Sequence, residues 1–231
     1  HHTRGVGDAA GREMAALDPQ DVARLDRNYY AGWPDNGLAS FVGLDVSRPA
    51  ITYAKEVGLI EDGIVADLER STLNPEAARI VESVDVILST GCVGYVTEKT
   101  FSSLIGATQR PPWIISFVLR LFPYDRLAAV FASHGLVTEK LSGTLFAQRR
   151  FRDLEEFERT LGGLGQLGIN TDGFESEGLL QAELYLSRPA ADVRAMPLAD
   201  IVTVTSGRNR PAGARYVKIH TNEGQRVALE P

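Results

Sequence analysis

Between residues 41 and 134, four short apolar runs alternate with segments of helical character. Phe41–Val46, Gly63–Leu68, Val84–Ser89 and Trp113–Leu119 are each too short for a buried helix, and turn formers bound them. Helices are expected between and after them. Ser47 and Pro49 open one over Ala50–Val57, which Gly58 closes. Pro75 opens a second, Thr97–Gly106 reads as a third, and Tyr124–His134 as a fourth that stops at Gly135. Strands in strict alternation with helices cannot pair as hairpins. They imply a mostly parallel sheet covered by helices on both faces, a Rossmann-like α/β fold.

The alternation changes on either side of that block. Upstream, Met14–Tyr30 reads as a helix with Asp18 as N-cap and Pro19 at the first helical position, followed by a loop through Gly32, Pro34, Asn36 and Gly37. Downstream, Leu136–Arg150 is a long strand or a pair of strands, and Leu154–Leu167 a charged helix. Gly168–Gly173 reads as a loop and Leu180–Ser187 as a further strand. Residues 190–231 are rich in turn formers, with alternating apolar runs at Ile201–Thr205 and Tyr216–Ile219. The expected organisation is an α/β domain over residues 14–188 and a C-terminal extension, residues 189–231, packed on it.

A chain of 231 residues with 44% hydrophobic content can bury a core unaided. Cys92 is the single cysteine, so neither an intrachain disulfide nor a cysteine zinc cluster can form. A net charge of −6 disfavours a broad nucleic-acid footprint. No apolar stretch approaches the roughly 20 residues a membrane helix needs, and the longest is broken by Arg120. The expected location is cytoplasmic, and the expected partner is a small-molecule substrate, with no nucleic acid and no membrane; a homodimer stays open. His1 and His2 read as the end of a purification tag. The other two histidines, His134 and His220, stand outside any strand-end motif, and no nucleophile elbow, P-loop or metal-ligand cluster is present.

In an open α/β sheet, ligands bind beyond the carboxyl ends of the strands. Asp45 ends the first run, where its two coplanar oxygens suit both hydroxyls of a ribose, or where it serves the turn into the next helix. Asp67 ends the second run 22 residues on, placed to accept from an adenine amino group with Leu68 against the ring, or to terminate the strand as a turn residue. Ser89-Thr90-Gly91-Cys92-Val93-Gly94-Tyr95 follows the third run, with Glu98 at the next helix start. This turn is either a wall shared by cofactor and substrate or simply a tight strand-to-helix connection. Arg120 follows the fourth run, beside Phe122, Tyr124 and Asp125; it pairs with a substrate anion or with Asp125. Gln148, Arg149, Arg150 and Arg152 form a basic cluster, either a solvated face paired with Asp153 and Glu155 or an anion-reading surface.

Phe-Val-Gly-Leu-Asp-Val-Ser at 41–47, Ala-Ile-Thr-Tyr-Ala-Lys at 50–55, Ala66-Asp67-Leu68 and Val-Asp-Val-Ile-Leu-Ser-Thr-Gly at 84–91, taken in order, resemble the class I S-adenosylmethionine-dependent methyltransferases. The resemblance covers residues 41–188 and implies an antiparallel final strand at Leu180–Ser187. It implies S-adenosyl-L-methionine as cofactor, bound by Asp45, Val46, Asp67, Leu68, Thr90 and Gly91. Cys92, Tyr95, Arg120 and Tyr124 would line the substrate side, with Tyr95 or Glu98 as proton acceptor and no metal. That superfamily begins with a strand running into a glycine-rich loop. Here no apolar strand precedes Phe41, and nothing strand-like leads into Gly5-Val6-Gly7-Asp8-Ala9-Ala10-Gly11. The expectation is a first strand and loop ahead of residue 14 that this sequence lacks; the alternative is that the motif is lost.

The leading expectation is therefore methyl transfer to a small molecule. A non-catalytic binding or scaffolding subunit of the same fold is the alternative. A nicotinamide-dependent oxidoreductase is a third reading, since Asp45 suits an NAD ribose equally, but it needs a Gly-x-Gly-x-x-Gly loop before Asp45.

Overall fold

The computed structural model describes residues 17–32, 37, 39–202, 215–221 and 224–230. Gly5–Gly11, Met14, Pro34 and Asn36 lie outside the described residues, as does the apolar run beyond Val202. The chain divides into two compact units, one ending at Ala78 and one beginning at Arg79.

The first unit opens with helix α1, Pro19–Ala31, where the Gln20 N–H donates to Asp18 Oδ1 at 2.9 Å. Strands β1, Val42–Asp45, and β2, Asp62–Val65, pair in parallel with Val42 opposite Asp62 and Asp45 opposite Val65. Helix α2, Arg48–Glu56, connects them and is capped by Ser47, whose Oγ accepts from the Ala50 N–H at 3.3 Å. A cap of this kind contributes about 0.5–2 kcal/mol. Gly63 sets how closely α2 packs on β2: a Cβ there would sit 2.4 Å from Ile51 Cγ2. Tyr53 of α2 donates to Asp26 of α1, and Arg27 meets Glu56 at 3.0 Å.

Helix α3, Pro75–Glu82, contains the boundary between the units. The second unit then builds a seven-stranded sheet. Its strands are β3 (Val86–Thr90), β4 (Trp113–Leu119), β5 (Leu136–Lys140), β6 (Thr144–Arg150), β7 (Leu179–Pro189), β8 (Arg215–Thr221) and β9 (Gly224–Glu230). The helices are α4 (Glu98–Ala107), α5 (Asp125–Ser133), α6 (Leu154–Gln166), α7 (Ala190–Ala195) and α8 (Leu198–Ile201).

The fold is α/β with a mixed sheet and helices on both sides. The strand expected at 180–187 is β7, and it runs antiparallel to β4 with Phe117 opposite Leu184. At eleven residues β7 is long enough to carry two partners end to end on its other edge: β6 opposite its first half and β5 opposite its second. The segment 136–150 is thus a pair of strands that share one neighbour. Only β3–β4 and β6–β9 are parallel among the described strands of this sheet; the other pairings are antiparallel. The C-terminal residues expected as an extension supply β8 and β9, which join the sheet through β6.

β3 lies at the edge of this sheet among the described strands, with Val86 and Leu88 exposed. β1 likewise has β2 as its one partner among the described strands. The core of the second unit fills the space between β4, α4 and α5, with Ile114 and Val118 facing Phe101, Leu127 and Phe131. Phe101 and Phe131 meet edge to face at 5.3 Å. At the far end of β7, buried Arg188 reaches Glu139 at 2.8 Å and lies over the Trp113 ring, while the Trp113 indole N–H donates to Asp192 Oδ2 at 2.7 Å. This latch fixes α7 to β4, β5 and β7.

Candidate functional site

Within the first unit, β1 and β2 run parallel and in register, so Asp45 ends one strand and Asp67 stands just past the end of the other. Both carboxylates therefore stand at the carboxyl end of the pair. Asp45 is exposed; its Oδ1 accepts from the Ser47 N–H at 2.7 Å, while Oδ2 takes no hydrogen bond from the described residues. One oxygen of Asp45 thus shapes the turn into the next helix. Asp67 is more committed: Oδ1 accepts from the Glu69 N–H at 3.1 Å, and Oδ2 lies 3.6 Å from Arg70 Nε. Val46 is exposed beside Asp45. Leu68 differs from expectation. It is buried in the protein, so its side chain is held by packing and is not offered to a ring.

Within the second unit, the turn after β3 is held by its own hydrogen bonds. The Gly91 N–H donates to the Phe117 carbonyl at 2.9 Å, and the Tyr95 and Val96 N–H groups both donate to the Cys92 carbonyl at 3.0 Å. Cys92 Sγ lies 2.9 Å from Ser89 Oγ. Thr90 is exposed, and Tyr95 is 75% exposed. Thr97 caps α4, and Glu98 in its first turn accepts from Arg126.

Tyr95 and Arg120 meet at a cavity of about 230 Å³, walled by Leu121, Phe122 and Leu164 and bearing Arg149, Glu156, Arg159 and Glu175. The sequence anticipated the first two residues. It did not anticipate Glu156, Arg159 or Glu175, which enter from α6 and from the 3-10 turn Glu175–Glu177. Their one sequence signal was the density of arginines and acids around residue 150, which fits a solvated surface equally well.

Arg120 pairs with Glu175, not with Asp125. The two side chains are 9% and 1% exposed and meet at 2.9 Å. The same guanidinium donates to the Asn170 carbonyl at 2.8 Å and lies over the Phe174 ring. Burial pushes the Glu175 carboxyl above its ordinary range, against the pull of Arg120. Arg149 grips Glu156 with two bonds, 2.7 and 2.9 Å, and the Arg152 N–H adds a third at 2.7 Å. That arrangement, led by the Arg149 bonds, brings the Glu156 carboxyl down to about 2. Tyr95 is close enough to Arg149 to act on its charge.

Cys92 and Tyr124 are not in the cavity wall. Tyr124 belongs to the core: its hydroxyl donates to Ser116 Oγ at 2.9 Å, its ring stacks on Tyr185 at 4.2 Å, and burial raises its phenol to about 12. Among the described residues no group of three or more His, Cys, Asp or Glu side chains is arranged to hold a metal, and no helix is long and apolar enough to cross a membrane.

No family model matches the chain, and no curated protein matches it. Solved structures of the plantazolicin methyltransferase BpumL are similar in part. Its complex with SAH and a triazolic desmethylPZN analogue aligns over 74% of this chain and 71% of its own, at 13% identity and a TM-score of 0.38. The complex with SAH and a pentazolic analogue aligns over 67% and 69%, at 14% identity and a TM-score of 0.39. The complex with SAH alone aligns over 67% and 68%, at 15% identity and a TM-score of 0.35. A likeness this distant says nothing of this chain's own ligands.

Proposed function

We propose that this chain is a cytoplasmic S-adenosylmethionine-dependent methyltransferase acting on a small molecule. The observation that carries the reading is Asp45: an exposed carboxylate at the end of a parallel strand, with one oxygen fixed by the Ser47 N–H and the other taking no hydrogen bond from the described residues. An outward carboxylate oxygen at a strand end can accept from a ribose hydroxyl, and Asp45 stands inside the sequence motif that resembles the superfamily. Asp67 at the neighbouring strand end supports it, turned outward with an acceptor beside an exposed Arg70.

When bound, the cofactor would supply an electrophilic sulfonium methyl group. The protein's task is then to hold and orient the two reactants. Within the first unit, Asp45 and Val46 would take the ribose and Asp67 the adenine edge. The cavity at Tyr95 would take the acceptor. Tyr95 is the better proton acceptor of the two expected, because it stands exposed at the cavity, whereas Glu98 is engaged by Arg126. Arg120 would act by holding the cavity wall, since Glu175 already neutralises its charge.

Isothermal titration of the full chain with S-adenosylmethionine and S-adenosylhomocysteine tests this reading, with NADH as the control. Micromolar binding of the first two and none of the third is expected. Binding of NADH instead, or of none, would remove it.

A further inference from the structure

We infer that the cavity beside Tyr95 takes a small, flat, singly charged carboxylic acid, bound by Arg159 through its carboxylate. This rests on the proposed reading only in calling that acid the methyl acceptor; the binding itself stands on the cavity.

Three arginines and two glutamates line the cavity. Two of the arginines are already neutralised at close range, Arg120 by Glu175 at 2.9 Å and Arg149 by Glu156 at 2.7 Å. Arg159 is different. Its nearest carboxylate is Glu155 at 3.7 Å; Arg159 is 64% exposed and Glu155 85%. A pair that loose and that solvated holds its partners weakly. A ligand carboxylate can engage the guanidinium in the bidentate geometry that Glu155 does not reach. The cavity thus presents one positive charge that nothing inside it cancels.

The remaining lining sets the rest of the ligand. Leu119, Leu121, Phe122, Leu164 and Leu180 make the walls apolar. The Tyr95 ring stands exposed at the same cavity and offers a face for stacking. A volume of about 230 Å³ equals roughly eight waters at about 30 Å³ each, room for one substituted ring. The charge is limited to one, because the two close ion pairs cancel and leave a single guanidinium to balance a ligand. That separates a carboxylate from a phosphate ester.

Saturation-transfer NMR on the full chain with 4-hydroxybenzoate, 4-hydroxybenzamide and phenyl phosphate tests the inference. The acid is expected to bind, and the amide and the phosphate to bind at least several-fold more weakly. Arg159→Gln is expected to weaken the acid by about three- to tenfold, in line with a solvent-facing charged pair, and to leave the amide unchanged. Arg152→Gln, an exposed arginine outside the cavity wall, is expected to change neither. Equal binding of acid and amide, an unaffected Arg159→Gln variant, or no binding of the acid at millimolar concentration would each overturn the inference. Acid binding in a chain that ignores S-adenosylmethionine would retire the methyltransferase reading and leave the acid site standing.

Discussion

Arg120 and Glu175, 55 residues apart, form a nearly solvent-free ion pair at 2.9 Å that ties the end of β4 to the turn before β7. A buried pair contributes little net stability over an apolar pair, but breaking it strands a charge. Glu175→Ala is therefore expected to cost about 3–5 kcal/mol in urea denaturation. The double replacement Arg120→Met with Glu175→Leu should recover most of that loss. If Arg120→Ala instead raised an acceptor's KM with an unchanged melting midpoint, Arg120 would be reading substrate and not holding the wall.

Glu156 makes an acid-side prediction. Arg149 and the Arg152 N–H hold its carboxyl at about 2, against an ordinary value of 4.5. A depressed folded-state value means the stabilisation is fully present above about 4.5 and is lost as the pH falls towards 2. Melting temperature measured from pH 7 to pH 2 should fall through that window. In Glu156→Gln the fall across it should be visibly shallower, with a lower melting temperature at pH 7.

Asp45 separates shape from charge. Asp45→Asn keeps an acceptor for the Ser47 N–H and loses the anion, whereas Asp45→Ala loses both. If Oδ2 takes the ribose, both variants weaken S-adenosylhomocysteine by about 1–3 kcal/mol, as removal of a charged hydrogen-bond partner does. Only the alanine variant should also melt earlier, by the loss of one local hydrogen bond. Titration calorimetry alongside thermal melts reads both effects. Unchanged affinity in both variants would leave Asp45 a turn residue.

The elements were legible where local chemistry decides them. Asp18 and Pro19 start α1, Ser47 starts α2, and Trp113–Leu119 is β4 to the residue. Pairing was less legible, because it depends on partners far along the chain. Nothing in Leu136–Arg150 says that both its strands will share β7, or that β9 will add to β6. The apolar run at 84–88 marks a strand, but its edge position is a property of neighbours that the run itself does not encode. At the site, Asp45 and Tyr95 were visible from their place after a strand. The partner of Arg120 was not: Asp125 is five residues away, but the return of the chain through Phe174 brings Glu175 closer.

Gly94 is the backbone position on which the cavity wall depends. Its φ of +116° is a conformation that side chains avoid, and a Cβ there would stand 2.7 Å from Phe122 Cζ. Gly94→Ala is expected to cost about 1–3 kcal/mol for the backbone alone. Overpacking against the Phe122 ring adds a similar amount. The two parts separate in the double variant with Phe122→Ala. Relative to Phe122→Ala alone, adding Gly94→Ala should cost only the backbone part. Gly162→Ala in α6, where a Cβ meets nothing within 4 Å, should instead stabilise by about 0.5–1 kcal/mol. Urea denaturation of the four variants checks the ordering. A Gly94→Ala protein as stable as the parent would show that Phe122 moves freely and that the wall is not fixed from Gly94.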